Sequence, residues 1–302
     1  MLLHADSPVA WQRPAIVTIS LAMGALIYTA GWRHYSRALP GRYTGSQLAS
    51  FVGGLACLWI AIVSPLDAAA ERLLSAHMVQ HILLLTGAPG LLLLGDPLLP
   101  CLRGLHALLR GAVLAPLRRH WVRRSLHALT HPVVALLISS VVFWSWHSRA
   151  LYELALRVLA IHIFEHSTFL VAGVLFWYPV VQPWPSRSRW PRGAMIPYLL
   201  IADVQNTVLA AVFTFSDRVL YPFYETHNTM AQADALDDQV LAGVLMWVPM
   251  SLAYLVPAVL LTVRLLSPTL LARQRAMPRH STMVDRVAWS ATEDRHDVSV
   301  TY

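Results

Sequence analysis

Seven stretches of this chain are apolar for long enough to cross a bilayer: roughly residues 11–32, 46–64, 73–95, 131–147, 157–179, 194–216 and 238–266. A spanning helix needs about 20 predominantly apolar residues. Inside hydrocarbon the backbone must satisfy its own hydrogen bonds, which leaves helices or closed barrels. Apolar runs of this length, without strict alternation, specify helices. The expected fold is all-α, a polytopic membrane helix bundle of about seven transmembrane helices. Composition agrees: 56% of residues are hydrophobic and only 13% charged, against about 25% charged in soluble domains. Residues 1–272 read as the membrane domain, with 98–117 as an interfacial amphipathic segment, because Arg103, His106, Arg110 and Pro116 interrupt it. Residues 273–302 read as a polar, disordered cytoplasmic tail. Met1 to Pro14 lacks the charged-then-apolar pattern of a signal peptide.

Charge sets the expected orientation. All 23 basic residues are arginine. Eighteen of them, Arg33, Arg37, Arg42, Arg103, Arg110, Arg118, Arg119, Arg123, Arg124, Arg187, Arg189, Arg192, Arg264, Arg273, Arg275, Arg279, Arg286 and Arg295, fall in alternate connections and the tail. The opposite connections hold Arg13, Arg72, Arg149, Arg157 and Arg218 and carry acids: Asp67, Glu71, Glu153, Asp217, Glu225, Asp234, Asp237 and Asp238. The positive-inside rule then puts the N-terminus outside and the C-terminus in the cytoplasm. It also accounts for the net charge of +7 without nucleic acid as a partner. Membrane lipid is the expected surrounding. Cys57 and Cys101 lie in an apolar segment and a basic loop, so no disulfide is expected.

Two short runs inside the spans carry the chemistry. His77-Met78-Val79-Gln80-His81 and His162-Ile163-Phe164-Glu165-His166 both read His-x-x-(Gln/Glu)-His. A pair at i, i+4 lies on one helix face about one turn apart. Both pairs fall at matched depth in the outer part of inward-running helices. The fourth span ends at Trp144-Ser145-Trp146-His147, which places His147 at the outer surface. The candidate metal ligands are therefore His77, His81, His162 and His166, with His147 as an access or additional ligand. Gln80 and Glu165 are expected to orient imidazoles or to pair with outer arginines. Ionisable groups within a bilayer are expensive and mark function, although a single such histidine is more often a packing residue bonded to a neighbouring helix.

Other features are weaker. Met78, Met246 and Cys57 are soft donors suited to Cu(I), and methionine is also a common gap filler. Asp203, Gln205 and Asn206 are expected to form an interhelical hydrogen-bond network. Trp144, Trp146, Trp177, Trp184 and Trp247 fit an interfacial belt. Pro89 and Pro249 should bend their helices, and Ala88-Pro89-Gly90 is placed to open a cavity.

Taken in order, the motifs resemble the CtaG family of multi-spanning cytochrome c oxidase assembly factors. The resemblance rests on Ser64-Pro65-Leu66-Asp67, His77-Met78-Val79-Gln80-His81, Ala88-Pro89, Gly95-Asp96-Pro97, His131-Pro132, Trp144-Ser145-Trp146-His147, His162-Ile163-Phe164-Glu165-His166, Asp238-Gln239 and Gly243-Val244-Leu245-Met246-Trp247. It covers roughly residues 45–265. It implies a non-enzymatic role in maturing a haem–copper oxidase at the bacterial plasma membrane, with oxidase subunits as partners and copper as the metal. Asp238 then serves docking or ligand support.

Three other readings fit the same residues. Facing histidine pairs can hold haem iron axially, although Phe164 and Phe169 crowd the second motif. His162-x-x-Glu165-His166 matches the inverted zinc-peptidase pattern, in which the glutamate is the base. A copper permease would need further polar groups across the bilayer, where the sequence offers only Asp203.

Overall fold

The computed structural model describes residues 8–39, 41–183, 190–228 and 232–267. Regular structure among them is helical: α1 (Pro8–Ala38), α2 (Gly45–Ile62), α3 (Pro65–Ala70), α4 (Leu74–Ile82), a π turn (Leu83–Gly87), α5 (Ala88–Leu94), α6 (Leu98–Gly104), α7 (Ala107–Leu117), α8 (His120–Leu129), α9 (Pro132–Trp146), α10 (Arg149–Arg157), α11 (Leu159–Val181), a 3₁₀ turn (Arg192–Ala194), α12 (Met195–Phe215), α13 (Phe223–Asn228) and α14 (Gln232–Leu266). One compact unit ends at Ala258; a second begins at Val259, and its described part is the helical stretch Val259–Leu266 and Ser267.

Six runs are long and apolar enough to cross a membrane: Pro14–Ala38, Gly45–Ile62, Leu74–Leu94, Leu159–Val181, Arg192–Phe215 and Asp234–Leu266. The pair α8 and α9, bent by 68° where they meet, makes a seventh if the two are counted as one span. Pro132 explains the break. It disfavours helical geometry in the preceding residue, and His131 is extended. The six runs fall on six of the expected spans, with the first ending later than expected, and α9 alone covers the expected 131–147. Apolar side chains such as Ile16, Leu26, Val141, Val204 and Phe215 stand more than half exposed, as a surface facing lipid requires. The chain is a multi-pass membrane helix bundle.

The span that begins with α4 sits at the centre, and Pro89 shapes it. Proline has no N–H and its ring clashes with the carbonyl four residues back. The chain answers with one wide π turn, in which the Ala88 amide bonds the Leu83 carbonyl. The Leu85 carbonyl then faces Gly173 of α11 so closely that a Cβ there would collide with it, and would lie 2.7 Å from Pro89 Cγ. The expected cavity at Ala88-Pro89-Gly90 is instead a tight helix crossing, the use that membrane bundles make of glycine.

Other expectations change in the same way. Segment 98–117 is two helices, not one. α6 packs on α1 where Gly31 meets the Pro100 carbonyl and Gly104 meets the Ile27 carbonyl; α7 alone has no buried residue. Trp144 is exposed as a belt residue should be. Trp146 and Trp177 are buried, and Trp146 Nε1 donates to Thr168 Oγ1 at 2.8 Å. Interior tryptophans usually find such a partner, but Trp177 Nε1 has none among the described residues. α14 runs unbroken through Pro249. In α12 the expected interhelical network forms in part: Asn206 donates to the Met246 carbonyl of α14 at 3.2 Å. Gln205 accepts from Trp144, and Asp203 Oδ1 has no hydrogen-bond partner among the described residues. Cys57 and Cys101 are free thiols. Trp184, Arg187, Arg189 and the tail from 268 lie outside the described residues.

Candidate metal centre

α4 carries the first histidine pair, and its start is built by neighbours. Leu73, at the N-cap, offers no side-chain acceptor. Asp238 of α14 supplies one: Oδ2 accepts from the Leu74 amide at 2.6 Å, Oδ1 accepts from the Ser75 amide at 3.3 Å, and the Ser75 hydroxyl donates to the same carboxylate. This places a negative charge where the helix dipole is positive. Gln239, the next residue, is fully buried and accepts from the Leu220 amide at 2.7 Å, which holds the connection after α12.

Gln80 does not orient an imidazole, contrary to expectation. It points away from the pair and donates to the Ala61 carbonyl at 2.6 Å and to Asp67 Oδ1 at 2.9 Å. Asp67 is placed for this by Ser64, whose hydroxyl caps α3 by accepting from the Leu66 amide, with Pro65 at the first helical position. The Ser64-Pro65-Leu66-Asp67 motif thus clamps α4 to the end of α2.

Between α4 and α11 the two pairs come together. His77 Nε2 lies 2.9 Å from His81 Nε2, and His162 Nε2 lies 3.0 Å from His166 Nε2. Across the helices, ring centroids of His77 and His162 are 5.3 Å apart, and those of His81 and His166 5.7 Å. Glu165 reaches into the same point. Its carboxylate is 3.4 Å from His81 Nε2 and 3.8 Å from His77 Nε2, it is fully buried, and neither oxygen accepts a hydrogen bond among the described residues. Donor atoms of His77, His81, Glu165 and His166 all lie within 4.8 Å of one another. Glu165, read from sequence as an orienting group or an arginine partner, instead has its carboxylate among the donor atoms that could hold a metal ion.

His147 is not at the surface. It is buried, its ring is 5.6 Å from that of His81, and its Nδ1 donates to the Phe143 carbonyl at 2.7 Å. That bond fixes the tautomer and leaves Nε2 as a lone-pair donor without a partner. Met78 and Met246 are both buried. Met78 is one residue on from His77, about 100° around α4 from the histidine face. Met246 gives its carbonyl to Asn206.

Sequence reading missed the cap over this centre. Tyr152 of α10 lies against His77 with centroids 5.1 Å apart and stacks on Tyr221 at 4.1 Å. Its hydroxyl meets that of Tyr224 at 2.9 Å, and Tyr221 donates to the His147 carbonyl at 2.8 Å. Burial pushes all three hydroxyls well above the usual tyrosine range, so they remain neutral. The signal was present as three tyrosines in the connections flanking the fourth-to-fifth and sixth-to-seventh spans.

The donor set of imidazoles and one carboxylate suits a transition metal. An orphaned buried carboxylate among imidazoles is the arrangement a cation would complete. The sequence profile of the cytochrome c oxidase caa3 assembly factors (CtaG) matches residues 26–267. The chain belongs to this family. Relatives include uncharacterised proteins of Mycobacterium bovis and Mycobacterium tuberculosis, each 26% identical over 243 residues, 78% of this chain and 36% of theirs. A Mycobacterium leprae protein is 24% identical over the same length. The chain spans about a third of the length of these curated relatives. No solved structure matches it. The family is one of oxidase assembly factors.

Proposed function

We propose that this CtaG-family protein handles copper for cytochrome c oxidase, holding the ion between α4 and α11 as cargo. The observation that carries this reading is the convergence of His77, His81, Glu165 and His166 within 4.8 Å, with the Glu165 oxygens accepting no hydrogen bond among the described residues. Charge bookkeeping favours Cu(I). Neutral imidazoles, one carboxylate and a monovalent cation sum to zero, whereas a divalent ion leaves a net positive charge buried at a cost. Imidazole is an accepted copper ligand. A porphyrin fits the geometry poorly: the paired nitrogens are at hydrogen-bond distance, 2.9 and 3.0 Å, and fully buried Phe169 packs on His81 at 4.3 Å.

A permease is disfavoured by the far half of the bundle. There Phe176 stacks on Tyr198 at 4.8 Å and meets Tyr254 at 5.6 Å, while Trp177 stacks on Tyr254. This aromatic layer blocks passage beyond the histidines. The ion is therefore taken up and released at one end of the bundle, the outer face in the orientation that the arginines favour. The oxidase subunits are the proposed recipients, the bacterial plasma membrane the proposed location, and no catalysis is involved. The test is metal analysis of the purified protein. Wild type should carry copper after exposure to Cu(I), and the His77→Ala/His166→Ala double variant should not. Preference for zinc, with a peptidase activity lost in Glu165→Gln, would overturn the reading.

A further inference from the structure

Burial within the histidine cluster is uneven, and the unevenness has a direction. His77 is 1% exposed, His81 3% and Glu165 0%. His162 and His166 are only partly buried. His162 sits in the first turn of α11, which begins at Leu159, so it stands at the very end of the span, one turn nearer its mouth than His166. The donor atoms divide the same way, although the His162 ring also lies 5.3 Å from that of His77. His166 belongs to the group that converges within 4.8 Å, with His77, His81 and Glu165. His162 reaches His166 at 3.0 Å. Over the rest of the cluster the cap is closed: Tyr152 covers His77, Tyr221 holds the carbonyl of His147, and the Tyr224 hydroxyl reaches the Ala70 carbonyl at 3.4 Å. His147, on the far side of His81, is itself buried.

We infer that the metal moves along a two-station relay: it lands on the His162–His166 pair and passes to a buried seat at His77, His81 and Glu165, with His166 shared by both stations. This rests on the copper-handling reading and adds a direction to it. Each station gathers imidazole nitrogens within 3.0 Å of each other, a spacing a small outward shift would open to a metal ion. A shared ligand lets one bond form before another breaks, so the ion never has to be released bare into an apolar interior, where an unpaired charge is costly. The buried seat has the carboxylate and is the tighter station. The landing pair has two neutral imidazoles and holds the ion loosely. Access thus belongs to His162, not to His147.

The test separates rate from occupancy in the full-length protein in detergent. Cu(I) is presented as a complex with a weak chelator, and uptake is followed in time by the chelator's absorbance; bound copper at equilibrium is measured separately. His162→Ala should retain wild-type copper at equilibrium but load about tenfold more slowly. His81→Ala should lose equilibrium copper. His162→Met, which keeps a soft donor at the access position, should restore much of the rate, a rescue that a purely structural role for His162 would not give. Loading of His162→Ala at the wild-type rate would overturn the relay, as would loss of its equilibrium copper together with that of His81→Ala, since the residues would then form one undivided site. Wild-type protein that binds no copper at all would remove the copper-handling reading itself, and the relay with it.

Discussion

Asp238 closes the N-terminus of the helix that begins at Leu74, its carboxylate accepting the Leu74 amide at 2.6 Å from more than one hundred and sixty residues away in sequence. The last helix thereby fixes the start of the helix that carries His77 and His81. Removing a cap carboxylate costs about 1–2 kcal/mol. Asp238→Ala should lower the melting temperature in detergent and weaken copper binding. Asp238→Asn, which keeps an acceptor oxygen, should do less of both. Thermal unfolding and copper titration of the two variants check this. Equal copper affinity in Asp238→Ala and wild type would show that the cap does not position the histidines.

Gln80 tests whether a motif residue acts on the metal or on the fold. Both its amide hydrogen bonds hold α4 to Ala61 and Asp67. Gln80→Leu should leave those acceptors without their donor and cost about 1–3 kcal/mol of stability. Copper stoichiometry should survive at a temperature where the variant is folded. Loss of copper from a fully folded Gln80→Leu variant would return Gln80 to the ligand environment.

Gly173 is where α11 crosses the π turn. A methyl group there meets the Leu85 carbonyl and Pro89 Cγ, and overpacking of this kind costs about 1–3 kcal/mol. Gly173→Ala should destabilise the protein and, by pushing α11 from α4, reduce copper affinity. Gly24, whose added Cβ would meet nothing within 4 Å, is the control: Gly24→Ala, which puts a better helix former inside α1, should not destabilise the protein and should leave copper affinity unchanged. Matching melting curves and affinities for both variants would refute the claim that this crossing sets the spacing of the two histidine pairs.

How far the sequence anticipated these relationships follows from the kind of signal each one leaves. The spans were legible because hydrocarbon demands long apolar runs, and the histidine pairs because i, i+4 spacing fixes a face. Both pairs do meet. The roles of Gln80, Glu165 and His147 were not legible. Gln80 and Glu165 occupy the same place in their motifs, yet one points to a backbone carbonyl and the other into the centre. That difference depends on how each helix is rotated about its axis, which neighbours decide. His147 looked superficial because it ends a short span; the Tyr221 and Phe143 contacts that bury it come from packing. The tight crossing at Gly173 was hidden for the same reason, since a glycine in an apolar run does not say what it faces.

Orientation is open to a direct measurement. With 18 of 23 arginines in alternate connections and the tail, the histidine end of the bundle should lie outside. A reporter active only in the cytoplasm should be active when fused after residue 275 and silent after residue 225. The reverse pattern would move the metal centre to the cytoplasmic side and require copper delivery from within.

The family assignment and the site together predict a specific cellular defect. If the protein raises copper occupancy of its oxidase, cells lacking it should make the oxidase polypeptides but assemble them with less copper and less activity. A weak direct route fills when free ligand rises well above its dissociation constant, so added copper should partly restore activity in the deletion strain. His77→Ala and His166→Ala should behave as the deletion does, because each removes a donor from the converging group. Replacing His106, at the N-cap of α7, or His120, which begins α8, both exposed and outside both motifs, should have no effect. Oxidase activity, haem and copper would be measured together in isolated membranes. Depletion of haem with copper unchanged would point to haem handling. An oxidase of full activity and full metal content in the deletion strain would show that the cluster serves some other recipient, since a donor whose loss leaves its acceptor loaded is not that acceptor's source.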